Sequence, residues 1–257
     1  MFQPVETRRT FEGAVEQITE RIAQGELREG DRLPSERDLA ALMQISRPTL
    51  REAIRVLADA GVVAVAPGPG GGMRVVSEFV PRDLIQRGSR MRLSEIPGVL
   101  EARRLVEPRV AQLAAARASE EDLARLEDLL AQQRALVARG RFSSEEDRFL
   151  QLDTRFHLAI ARASGNTTVS SLMRTILGRL EIARDMALHV PLVPDWTLDV
   201  HQRTVEAIAA GDLDAVDRVM DEHLAQLERT WERETGRTLL RRTPEFLLPL
   251  RRDGDHV

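Results

Sequence analysis

From residue 94 to about residue 234 the apolar residues recur only at helical spacing, and no strand alternation interrupts them. A stretch of that length must bury its apolar stripes against other helices, so the second half is expected to be an all-α antiparallel bundle. Six helices are expected, over 94–118, 120–138, 143–163, 167–188, 197–210 and 212–234. The breaks are SE at 119–120, RGRFSS at 139–144, SGN at 164–166, PLVPDW at 191–196 and AGD at 210–212.

The first 77 residues follow another plan. Phe11, Val15, Ile18 and Ile22 share one helical face over 10–23. GELREGDRLPS ends that period, and Ser35, with Asp38 three residues on, caps a short helix carrying Leu39 and Leu42. Gln44 and Ile45 make a tight turn. Ser46 caps a third helix with Pro48 in its first turn, and Gly61 closes it. Two short extended runs, Val62 to Ala66 and Met73 to Val76, flank PGPGGG and read as a hairpin. The expected domains are 1–77 (helix, helix, turn, helix, hairpin), a basic linker at 78–93, the helical domain at 94–235 and an arginine-rich loose tail at 236–257.

The order of the first domain is that of a winged helix-turn-helix, and its third helix carries the chemistry to match. Arg47, Arg51 and Arg55 form a stripe along one face, with Leu50, Ala53, Ile54 and Leu57 opposite. Packed on the first two helices, such a segment turns guanidinium groups toward a major groove, where they can bond guanine edges or grip phosphates. Ser46 and Thr49 at its start can donate to phosphate. The net charge of −4 argues mildly the other way. Glu12, Glu16 and Glu20 lie on the first helix, where they can face away from DNA. All 37 cationic residues are arginine, a bias better ascribed to genome composition than to function.

Four polar residues interrupt the apolar faces of the helical half. Asp153 and His157, four apart, sit beside Phe149, Leu152, Phe156 and Ile160. His201 falls with Thr204, Val205 and Ile208, and His223 among Val216, Met220 and Leu227. A buried carboxylate needs a partner. Either one divalent metal of the zinc, nickel or manganese type takes all four donors, or Asp153 bonds one histidine and the others are core residues. Arg103 likewise lies within the stripe of Val99, Val106, Val110 and Leu113, while Arg104 is expected to point away. Its counter-anion is internal, Glu107 or Asp153, or the carboxylate of a ligand.

Two resemblances sharpen these expectations. GELREGDRLPSERDLAALMQISRPTLREAIRVLADAGVV resembles the winged-helix domain of the GntR family, through its LPSER, SR-x-T-x-REA and wing-glycine blocks. The resemblance implies operator contacts by Arg37, Arg47 and Arg51, phosphate contacts by Ser46 and Thr49, a wing tip at Gly71 and Gly72, and binding as a homodimer. LEARRLVEPRVAQLAA, DTRFHLAIARASGN and HQRTVEAIAAGDLDAVDRVMDEHL resemble the FCD effector domain of the FadR subfamily. There it implies one divalent metal per chain on Asp153, His157, His201 and His223, with Arg103 and Asn166 facing an effector. Asn166 reads equally well as a helix N-cap. The acyl-CoA-binding branch lacks the full metal set, so a small carboxylate is the expected effector.

The expected function is therefore a DNA-binding transcription regulator, a repressor relieved by its ligand, rather than an enzyme. A metalloenzyme fused to a DNA-binding domain is disfavoured, since no HExxH helix or additional general base is evident. A metal that merely ties helices together is the other alternative. No cysteine, signal segment or membrane span is evident, which fits a cytoplasmic protein without membrane partners.

Overall fold

The computed structural model describes residues 10–66, 71–81, 84, 91–139, 142–187 and 193–239. The chain divides into two compact units, residues 1–90 and 91–257.

The first unit runs α1 (Thr10–Ala23), α2 (Glu36–Leu42), α3 (Arg47–Asp59), β1 (Val63–Ala66) and β2 (Gly72–Val75). Each boundary has a local cause. The Ser35 hydroxyl accepts from the Asp38 N–H at the start of α2, and the Ser46 hydroxyl accepts from the Thr49 N–H at the start of α3. Between them Gln44 has φ 53°, a left-handed turn that costs a side-chain-bearing residue about 1–2 kcal/mol. Gly61, at φ 70°, takes the left-handed position after α3, and the Val62 N–H turns back to the Leu57 carbonyl. Val62 thereby belongs to the helix cap, and the ladder begins one residue later than the sequence implies. It pairs Val63 with Val75 and Ala66 with Gly72, antiparallel. Residues 67–70, most of the expected turn, lie outside the described residues. Ile18, Ile22, Leu50, Leu57, Val62 and Val75 fill the core.

The second unit opens with a 3-10 turn, Leu93–Glu95, then α4 (Ile96–Arg117), α5 (Glu120–Ala138), α6 (Phe142–Ala163), α7 (Thr167–Ala187), α8 (Pro194–Ala210) and α9 (Leu213–Thr235). α4 packs against α6, α7, α8 and α9. A helix touched on so many sides cannot keep a single stripe, so Leu100, Glu107, Ala111 and Ala114 are buried beside Val99, Arg103 and Val110. α8 starts three residues before the expected position because Pro194 occupies its first turn, where a missing N–H is harmless. Gly211 and Gly236, at φ 64° and 66°, close α8 and α9.

Of the expected tail, Leu239 is held: its N–H donates to Glu232 and its side chain is buried in the cluster that contains Ile96, Leu180 and Trp231. Residues 240–257 lie outside the described residues, as do residues 82–83 and 85–90 of the expected linker.

Candidate functional site

Two constellations carry chemistry, one in each unit. On α3, Leu50, Ala53, Ile54 and Leu57 are buried while Arg47, Arg51 and Arg55 are exposed. Arg37 is exposed on α2, beside Asp38. Glu36 reaches across from α2: its Oε1 accepts from Arg47 Nε at 2.9 Å and its Oε2 from Arg51 Nε at 2.8 Å. These bonds, Arg51 foremost, hold the Glu36 carboxyl below the usual range. The Ser46 and Thr49 hydroxyls lie 2.7 Å apart at the helix start. A groove of about 670 Å³ lies between α3 and the hairpin, with Arg32, Arg51, Arg55, Gly71 and Gly72 in its lining.

In the second unit α6 supplies Asp153 and His157, α8 His201 and α9 His223, and one donor atom from each lies within 4.8 Å of every other. Adjacent ligands around an ion with bonds of about 2.1 Å sit roughly 3–3.5 Å apart. Here His223 Nε2 is 3.1 Å from His157 Nε2, and Asp153 Oδ1 is 3.3 Å from His201 Nε2 and 3.9 Å from His157 Nε2. Asp153, His157 and His201 are 3%, 3% and 1% exposed, whereas His223 is half-buried.

Each of these three has an outer partner. Glu107 Oε2 lies 3.2 Å from His157 Nδ1, Gln133 Oε1 lies 3.0 Å from His201 Nδ1, and Arg184 donates to Asp153 Oδ2 at 2.8 Å. An acceptor opposite Nδ1 puts the proton there and leaves Nε2 with a lone pair. The His201 Nε2 lone pair then confronts the Asp153 carboxylate, and that buried nitrogen makes no hydrogen bond. Two acceptors face to face repel unless a cation lies between them.

Burial would raise the Asp153 carboxyl, but Arg184, His201 and His157 outweigh it and hold the group well below the usual range. Burial pushes His157 down to about 3, with Asp153 opposing and Arg103 reinforcing the shift. It also pushes His223 well down, with His157 and His201 adding to the effect. At neutral pH Asp153 is thus a carboxylate and His157 and His223 are uncharged imidazoles, the forms that bind a metal.

Of the anions expected for Arg103, the structure supplies Glu107. Arg103 donates through Nε to Oε1 and through Nη2 to Oε2, the latter at 3.1 Å. Asn166 caps α7, its Oδ1 accepting from the Thr168 and Val169 N–H groups at 3.1 Å. Arg104 does not point away. It donates to Glu228 and Asp221 on α9, because the central position of α4 leaves that side covered too. Residue spacing did not single out Glu36, Gln133, Arg184 or Glu228. Gln133 had a signal, a polar residue in the stripe of Leu126, Leu129, Leu130 and Leu136. Arg184 had none.

A helix-turn-helix with a hairpin wing, joined to a helical domain with an inward-facing donor cluster, defines the class as a DNA-binding transcription regulator. The chain belongs to the GntR family of bacterial regulatory proteins, whose model matches residues 10–75, and carries an FCD domain over 98–226. It is 30% identical over 237 residues to the putative L-lactate dehydrogenase operon regulatory protein of Escherichia coli K12, covering 88% of each chain. It is 32% identical over 215 residues to the transcriptional regulator LutR of Bacillus subtilis 168, covering 80% of this chain and 94% of LutR. It is 28% identical over 241 residues to the transcriptional repressor NanR of Cronobacter sakazakii, covering 90% of this chain and 88% of NanR. The family and these relatives are transcription regulators, and regulation of transcription rather than catalysis is the function of this chain. No helix among the described residues is long and apolar enough to cross a membrane.

Proposed function

We propose that the chain is a cytoplasmic homodimeric repressor whose operator affinity is set by a small carboxylate bound at a metal in the helical domain. The observation that carries the metal is the buried His201 Nε2, which has no hydrogen bond and lies 3.3 Å from Asp153 Oδ1; with the ring proton on Nδ1 facing Gln133, this is a repulsion that a divalent cation converts into two bonds. Asp153, His157, His201 and His223 would hold the ion, which supplies a Lewis-acidic position for one effector oxygen. Three imidazoles and a carboxylate suit zinc, nickel or manganese. A hydroxy acid, a sugar acid or a dicarboxylate fits such a centre, and the lactate operon named for one relative favours the first.

Arg103 spends two of its five N–H donors on Glu107, so it retains donors for an effector carboxylate, with Asn166 as a further candidate contact. Arg37, Arg47, Arg51, Ser46 and Thr49, with the wing at Gly71 and Gly72, would engage each operator half-site. Two chains would read a near-palindrome. The effector changes affinity only if it favours one spacing of the two α3 helices over another.

A metal-free reading has one specific foundation. Turning the Gln133 amide over would place its NH₂ on His201 Nδ1 and let His201 Nε2–H donate to Asp153. The two readings separate in one experiment. The purified protein is assayed for bound metal by mass spectrometry. An operator is then selected from a random duplex library, and binding is followed by fluorescence anisotropy with lactate, sugar acids and dicarboxylates. The expected result is near one metal per chain and at least one acid that lowers operator affinity tenfold or more, with the effect lost on chelation. Protein that takes up no zinc, nickel or manganese at micromolar concentration overturns the metal. Metal uptake without response to any acid leaves the ion a structural tie among α6, α8 and α9.

A further inference from the structure

We infer that Arg103 and Glu107 are a buried outer-shell pair that fixes His157 in its Nδ1–H tautomer and so aims the Nε2 lone pair at Asp153, His201 and His223. The inference rests on the metal reading above for its purpose but not for its geometry. The side chains of Arg103, Glu107 and His157 are 3%, 1% and 3% exposed, so none can settle its hydrogen bonds with water.

The chain of dependence runs outward from the imidazole. A carboxylate only accepts, and Glu107 Oε2 lies 3.2 Å from His157 Nδ1, so that nitrogen carries the proton. A buried carboxylate without a cation is strongly disfavoured. Arg103, one helical turn before Glu107 on α4, removes that cost with a two-pronged bond to both oxygens. The guanidinium in turn needs an anion at this depth and finds the same carboxylate. Remove Arg103 and Glu107 has no cation, and His157 no longer meets a fixed acceptor.

The other ligands show the same provision in different chemistry. Gln133 faces His201 Nδ1 and Arg184 holds Asp153, whereas His223 Nδ1 is buried with no hydrogen bond. Among the described residues, three ligands are braced from outside and the fourth is not. Arg103 is therefore a positioning residue that acts on the metal through Glu107 and His157. Loss of an effector response in Arg103→Ala would then not by itself prove that Arg103 touches the effector.

The test uses the full chain labelled with 15N-histidine, in metal-free and zinc-loaded forms. Long-range 1H–15N correlation of the metal-free protein reports which ring nitrogen of each of the five histidines carries the proton, with His157 assigned by its substitution. The expected spectrum places the His157 proton on Nδ1. A proton on Nε2 overturns the inference. The double variant Arg103→Met/Glu107→Leu removes both charges together and leaves neither stranded. It should keep its fold, lose the single tautomer and bind zinc 10–100-fold more weakly in competition with a chromophoric chelator. Zinc affinity within threefold of the parent overturns the inference. If the double variant does not fold, the parent spectrum still decides. If the parent binds no zinc, the metal reading fails while the tautomer result stands alone.

Discussion

Arg104 on α4 and Glu228 on α9 are joined by two hydrogen bonds, Nε to Oε1 at 2.5 Å and Nη2 to Oε2 at 2.8 Å. Their side chains are 10% and 4% exposed, and Asp221 takes a further N–H from the same guanidinium. His223 lies between Asp221 and Glu228 along α9, so this clamp seats the helix that carries the fourth donor. Glu228→Ala takes the buried carboxylate from a largely buried guanidinium, leaves it the exposed Asp221, and should cost up to about 3–5 kcal/mol. Arg104→Met/Glu228→Leu should cost far less, because no buried charge is left alone and the carboxylate that loses its partner, Asp221, is exposed. Urea denaturation of the metal-free variants measures both. An equal loss in the two variants would locate the cost in packing rather than in the unpaired charge.

Glu36 makes a separate prediction at the DNA-reading end. It occupies Nε of both Arg47 and Arg51, which leaves their Nη groups as forks for guanine or phosphate. Arg51→Ala should weaken binding to the selected operator by about 1–3 kcal/mol if it reads a base. Should it grip phosphate, the loss should be uniform across sequences and the salt dependence shallower by about one unit of slope. Glu36→Ala removes a negative charge from the face and frees both side chains, so binding to a scrambled duplex should tighten while the preference for the operator narrows. Titrations of both duplexes at several salt concentrations report all of these. Parallel weakening on both duplexes for Glu36→Ala would indicate damage to the domain instead.

What the residues disclosed and what they hid follows a physical division. Periodic burial and caps are local, so α2 and α3 could be placed from Ser35, Ser46 and Gly61, and four donors could be found because each is a polar residue within an apolar stripe. Partnerships between helices are not local. Glu228 is 124 residues from Arg104, and Arg184 is 31 residues from Asp153 at a position no stripe marks. The single stripe expected for α4 failed for the same reason. Periodicity reports one buried face, and α4 is buried by four neighbouring helices.

Gly61 offers a test of local design. Its φ of 70° lies where a Cβ is penalised, although no neighbouring atom within 4 Å would meet that Cβ. Gly61→Ala should therefore cost about 1 kcal/mol through backbone strain alone. Thermal or urea unfolding of the first unit's signal would show it. The same turn joins α3 to β1, so operator affinity should fall more than affinity for a scrambled duplex, through displacement of the wing. A neutral result would mean that the turn relaxes to another conformation at no cost.

Metal removal is the most direct prediction for the helical half. An ion that binds only the folded chain stabilises it by about 4 kcal/mol at a thousand times its dissociation constant. Zinc-loaded protein should melt well above the chelated form, and the gap should close in His201→Ala and in Asp153→Asn. Asp153→Asn keeps the side-chain volume but loses both the ionic bond to metal and the pairing with Arg184, whose donated N–H lies 2.8 Å from Oδ2. The metal-free forms separate the two losses. If Arg184 alone matters, Asp153→Asn destabilises the chelated protein as much as the loaded one. If the ion matters, most of the difference appears only with zinc present. Calorimetry of the four combinations, parent and variant with and without zinc, gives the coupling directly, and a coupling near zero would remove Asp153 from the ligand set.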